Sequence, residues 1–128
     1  LKKRKLLGRK ADFVVALRPN RAEFFALQPE PVSKPQLKLA ASPALAGAVV
    51  SATIQIPGAT GQHPVMIRAT TPAGLPAPWL DRTVIAGRQP VEVILPLAHN
   101  DPPGDWVIRA VDLFGNLGTA ATLNVRHQ

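Results

Sequence analysis

The sequence predicts an all-β fold, a two-sheet antiparallel sandwich of about seven strands preceded by an N-terminal extension. After residue 34, apolar and polar residues alternate along successive short segments, the spacing that sends alternate side chains to opposite faces of a strand. Turn residues separate these segments at intervals of roughly 8–12 positions, with fourteen prolines and nine glycines in the chain. No stretch in this region carries a helical period of useful length, which sets aside α/β arrangements with crossover helices.

The chain divides into a basic tail or linker over 1–12, N-terminal strands or a connector over 13–33, and the sandwich over 34–128. Phe13 to Leu17 is apolar and β-branched enough for a strand, stopped by Arg18-Pro19-Asn20, and Glu23 to Leu27 is a second short candidate. Either could instead be a turn of helix, because short apolar runs do not settle the matter by periodicity. Their phenylalanines suit core anchors or a seal against a neighbouring domain. Pro29, Pro31 and Pro35 then hold an extended connector.

From Lys34 the pattern is cleaner. Gln36 to Ala41 alternates Leu37, Leu39 and Ala41 against Gln36, Lys38 and Ala40, and ends at Ser42-Pro43. Ala48 to Ile56 turns Val50, Ala52, Ile54 and Ile56 inward and stops at Pro57-Gly58. His63 to Thr71 repeats the plan with Val65, Ile67 and Ala69 inward and Met66, Arg68 and Thr70 outward. After an irregular stretch from Leu75 to Asp81, Arg82 to Ala86 is a short edge candidate. Pro90 stands at a strand entrance, where a missing N–H is tolerated, and Val91, Val93, Leu95 and Leu97 form the next inward row. Pro102-Pro103-Gly104 opens a strand with Trp106, Ile108 and Ala110 on one face and Val107, Arg109 and Val111 on the other. Phe114-Gly115-Asn116 turns the chain, and Leu117 to Val125 returns as the second arm of a hairpin.

That penultimate strand and its turns carry a family resemblance. Gly104, Asp105 and Trp106, then Asp112, Gly115 and Asn116, resemble the signature of bacterial immunoglobulin-like and macroglobulin-like β-sandwich modules. In those modules a Gly, a small residue and an aromatic begin the penultimate strand, which runs to Asp and a Gly-Asn turn. The similarity covers Lys34 to Val125. Trp106 stands where tyrosine is commoner, and the paired cysteines of antibody domains are absent. The resemblance implies an immunoglobulin-like sandwich serving as a spacer, adhesion element or accessory domain of multidomain surface proteins and glycoside hydrolases.

Charge and composition narrow the functional classes. Lys2, Lys3, Arg4, Lys5, Arg9 and Lys10 supply six of the fifteen basic residues, leaving nine basic and eight acidic residues elsewhere, so the net +7 is concentrated in the tail. A short basic run can touch nucleic acid, acidic lipid or an acidic neighbouring domain. No nucleic-acid partner is expected, because nothing downstream interleaves aromatics with Lys or Arg. The longest apolar runs fall far short of the ~20 residues that span a bilayer, so no membrane insertion is expected. Without cysteine there is no disulfide framework, thiolate metal site or cysteine nucleophile. Opening at Leu1, the chain reads as the C-terminal segment of a longer, exported polypeptide, in an extracellular, cell-surface or periplasmic setting.

Candidate chemistry is sparse. His63, His99 and His127 sit in separate turn or terminal segments without a second histidine at ligand spacing, and read as loop residues. Ser33, Ser42 and Ser51 lack a nucleophile-elbow context, so no catalytic residue is assigned and no enzyme is expected. Asp101 and Asp105, with Asp112 and Asn116 one strand away, form the densest oxygen cluster. Calcium needs six to eight convergent oxygens, whereas turn chemistry accounts for Asn and Asp in these positions. No cofactor and no metal are therefore assigned.

Trp106 reads as core. Trp79 stands in a proline-held loop, where it could cover the open end of the sandwich, stack on a sugar ring or anchor a protein. The expected function is that of a non-catalytic accessory or structural module, a spacer or protein-interaction domain whose partners are neighbouring domains of the same chain or another protein. The alternative is a carbohydrate-binding module using Trp79, with Asp81, Arg82 and Asn100 as polar neighbours.

Overall fold

The computed structural model describes residues 7, 8, 12–25, 27, 31 and 33–128. Among these residues eight strands form two sheets: β1 (Gln36–Leu39), β2 (Ala44–Leu45), β3 (Val49–Gln55), β4 (His63–Thr70), β5 (Arg82–Ala86), β6 (Val91–Pro96), β7 (Gly104–Asp112) and β8 (Gly118–Arg126). One sheet has the order β1-β3-β6 and the other β2-β8-β7-β4-β5. A single 3-10 turn, Pro78–Leu80, is the only helical element among the described residues.

The alternation places the core where the inward rows predict. Val50, Ala52, Ile54 and Ile56 from β3 and its continuation meet Val65, Ile67 and Ala69 of β4, with Trp106, Ile108 and Ala110 of β7 beside them. Val93, Leu95 and Leu97 complete the β6 side, and Leu123 and Val125 the β8 side. The two sheets thus close on one hydrophobic core. Each large aliphatic side chain fully buried there contributes roughly 1.5–3 kcal/mol, offset by conformational entropy of similar total size.

The edges are where the sequence is least explicit. Arg82–Ala86 is an edge strand as expected, paired among the described residues only with β4. The opposite edge of that sheet is β2, two residues paired in parallel with β8 through Ala44↔Val125 and Leu45↔Arg126. No alternating pattern announces a strand so short, and it raises the expected seven to eight. The first strand ends at Leu39, short of Ala41, which is exposed.

The N-terminal expectations need correction. Phe13 to Leu17 is not a strand, and neither is Glu23 to Phe25, nor is either a helix. Phe24 and Phe25 are exposed rather than core anchors, and Phe13 packs on Phe25 with ring centroids 5.0 Å apart. Apolar, β-branched composition makes a strand only where an open ladder receives it. Ala26 and most of the basic run, 1–6 and 9–11, lie outside the described residues.

Registers define two poles. At one lie the start of β1 (Gln36↔Gln55), the start of β4 and the end of β7, joined across the sheets by Ile56 N–H donating to the Gly87 carbonyl at 2.8 Å. At the other, Gly104 faces Val125, Leu97 N–H donates to Ala48, and Ala46 N–H donates to Arg126. The chain therefore enters the sandwich at one pole and leaves it at the opposite one.

Candidate functional site

The polar chemistry gathers at the two poles, and the first site is a correction. His63 is no loop residue: it is the first residue of β4, 5% exposed, on the inward row that continues to Val65 and Ile67. A buried imidazole requires a partner, and Asp112 supplies it. The His63 Nδ1–H donates to Asp112 Oδ2 at 2.8 Å, on a side chain that is completely buried. The second oxygen, Oδ1, accepts from Phe114 N–H at 2.9 Å, an Asx turn that starts the β7–β8 hairpin. Asp112 N–H closes the loop on the Leu117 carbonyl at 2.9 Å, and Asn116 takes the left-handed conformation (φ 53°). Phe114 then lids the pair, its ring 5.5 Å from that of His63. The sequence carries a faint signal of this: the inward rows of β4 and β7 both end in a polar residue at the same pole.

At the opposite pole, Trp106 is fully buried, and its Nε1–H donates to the Pro102 carbonyl at 2.9 Å. Trp79, the middle residue of the 3-10 turn Pro78–Leu80, stands edge-on to Trp106 with centroids 6.5 Å apart and planes at 78°. Half of Trp79 (51%) remains exposed. The loop is held by its own backbone and by Arg82. Ala77 N–H donates to Ala69 at 2.9 Å, Asp81 N–H to Pro78 at 3.1 Å, and the Arg82 guanidinium reaches the carbonyls of Trp79 (3.0 Å) and Asp81 (2.8 Å). Leu80 plugs the core beneath. Asp81 thus takes part through its backbone, while Arg82 shapes the turn that presents the indole.

Asn100 is exposed two residues before Pro102, in the loop that precedes Trp106. Trp79, Asp81 and Arg82 form one local unit, and Asn100 belongs to the adjacent loop of the same pole. Asp101 in that loop is buried and accepts from Ala98 N–H at 2.8 Å, and its carbonyl receives the His127 ring N–H at 2.9 Å. Asp105 Oδ1 accepts from Asn124 Nδ2 at 2.7 Å. These carboxylates serve turns and strand ends, and among the described residues no three His, Cys, Asp or Glu side chains converge on a metal-sized point. His99 lies over Gly47, which leaves no room for a side chain beneath the ring.

No protein-family model matches the chain, and no curated protein matches it in sequence. Among the described residues no helix is long and apolar enough to cross a membrane.

Proposed function

We propose that this chain is a non-catalytic, immunoglobulin-like β-sandwich module of a larger multidomain protein, acting as a spacer or protein-interaction domain. The observation that carries the reading is the separation of entry and exit. A nine-residue β8 advances about 30 Å, and Gln36 and Arg126 lie at opposite poles of it. A chain threaded through such a module is displaced by the module's full length. The signature over Gly104 to Asn116 supports kinship with bacterial immunoglobulin-like and macroglobulin-like modules, and with it an extracellular or periplasmic setting. The buried groups at both poles act in turns, which suits structure rather than catalysis.

The chain has no cysteine, so Gln36→Cys with Gln128→Cys gives two unique dye positions for a fluorescence-transfer distance. A separation of about 30 Å is expected; one under roughly half of that would place both ends at one pole and remove the spacer geometry.

The second reading, a carbohydrate-binding module, is favoured by Trp79 alone, whose half-exposed indole is held rigidly by Trp106 and the Arg82-braced loop. Asp81, Arg82 and Asn100 would be its polar neighbours. A glycan array decides it: binding abolished by Trp79→Ala supports a sugar site, and a blank array removes it.

A further inference from the structure

The edge strand β5 keeps backbone groups that nothing in the fold uses. Leu113 N–H donates to the Pro64 carbonyl, and Ala77 N–H to that of Ala69. Antiparallel ladders alternate the direction of bonding residue by residue. The even-numbered residues of β4 therefore bond towards β7, and Val65 and Ile67 towards β5. On β5 that takes up Arg82, Val84 and Ala86, and it turns the N–H and C=O of Thr83 and Ile85 away from the sheet. Among the described residues those groups have no partner.

Native sheets blunt such edges with charge, proline or brevity. By the same alternation, Leu97 N–H on Ala48 leaves Glu92, Ile94 and Pro96 at the open edge of β6, which is guarded by a charge and a proline. Lys38 stands within the four residues of β1, and β2 has only two residues. Thr83, Val84 and Ile85 have none of these devices. Arg82 is drawn back onto the carbonyls of Trp79 and Asp81, and Ile85 is 54% exposed. The core is also least sealed on this flank, where Val84 of β5 and Val91 of β6 are only partly buried.

The same chain holds a strand-like segment without a ladder. Residues 13–17 are uncharged and apolar, form no strand, and leave Val14 100% and Leu17 78% exposed. We propose that residues 13–17 of a second copy add to the open edge of β5 as an antiparallel strand. The proposal deepens, and rests on, the interaction-module reading. An extended segment adds to an exposed edge through main-chain bonds, with alternate side chains giving specificity. One register fits both faces: Val14 opposite Ile85, Val15 opposite Val84 and Ala16 opposite Thr83. Val14 and Ala16 then bond the free groups, while Phe13, Val15 and Leu17 form an inward row over Ala86, Val84 and the stem of Arg82. A shift by one residue would turn the three large side chains outward. Within one copy the segment stays off this edge, so the strand comes from another, and reciprocal exchange closes a two-fold pair.

The test uses the full chain and two proline variants. A16P removes a donor from the added strand and lies outside the sandwich. I85P removes one from the receiving edge at an N–H that the sheet does not use, where proline is tolerated. Light scattering of the parent should move from the mass of one chain towards that of two between about 10 μM and about 1 mM. Over the same range the amides of Val14, Ala16, Thr83 and Ile85 should gain about tenfold protection from hydrogen exchange. Each variant alone should stay at the mass of one chain, and an equal mixture of the two should associate, because one supplies an intact strand and the other an intact edge. A parent that stays single with these four amides unprotected overturns the proposal. Protection independent of concentration assigns the strand to its own copy and overturns it too. Association that A16P retains assigns the contact to two β5 edges, with the same result, and A16P decides this even where I85P fails to fold. The spacer reading fails separately, on the pole-to-pole distance, so a failed association with the poles well apart removes this exchange alone.

Discussion

Replacing Asp112 by alanine removes the partner of a buried histidine and the cap of a hairpin in one step. Two hydrogen bonds go, to His63 Nδ1 at 2.8 Å and from Phe114 N–H at 2.9 Å. A bond to a charged group nets roughly 1.5–3 kcal/mol, and a buried polar group left without a partner costs roughly 1–3 kcal/mol. These contributions overlap, because the orphaned His63 ring is itself one of the lost partners. The expected loss is therefore about 3–5 kcal/mol, a large share of the ~5–15 kcal/mol that holds a domain folded. Asp112→Asn is the informative companion. Its single carbonyl oxygen still accepts from Phe114, and its NH2 donates to His63 once the imidazole proton moves to Nε2, so about 1–2 kcal/mol is expected. Urea unfolding of the full chain, followed by the fluorescence of the buried Trp106, measures both. A loss below about 1 kcal/mol for alanine, or an asparagine variant as unstable as the alanine one, would refute the role given to this pair.

Further outcomes follow from the core and the opposite pole. Aspartate at Ile54, Ile67, Val93 or Ile108 puts a charge among residues at most 5% exposed, and loss of the cooperative melting transition is expected in circular dichroism. Trp79→Ala forfeits an edge-to-face contact worth about 0.5–1.5 kcal/mol together with the area it covers, so the domain stays folded with a melting temperature several degrees lower. Gly47→Ala meets both a left-handed backbone (φ 83°) and the His99 ring. A loss of about 1–3 kcal/mol is expected by chemical denaturation, reduced in a His99→Ala background that leaves only the backbone strain.

Much of the sandwich could be read from alternation, because an inward position is a property of one strand. Val50, Ile54, Val65, Ile67, Val93, Leu95, Trp106 and Ile108 all fall on the predicted face, and β5 has the predicted bounds. What could not be read depends on pairing between distant segments. The two residues of β2 are a strand only because β8 lies beside them. Phe13 to Leu17 has strand composition but no ladder. His63 looks like a turn residue until Asp112, forty-nine positions away, is placed against it. Of the pole around Trp79, the proline-held loop and the buried Trp106 were legible, whereas the bracing by Arg82 requires the turn to be folded first.

The parallel pairing of β2 with β8 matters for how the domain would bear tension. Force drawn through the two ends pulls the segment leading into β2 towards one pole and β8 towards the other. The short ladder at Ala44 and Leu45, with Ala46 N–H on the Arg126 carbonyl at 2.8 Å, then lies along the pull instead of across it. Bonds loaded along the strand axis must yield together rather than one after another, so this short clasp, behind the β1–β3 ladder, would add a resistance to forced opening that equilibrium melting does not report.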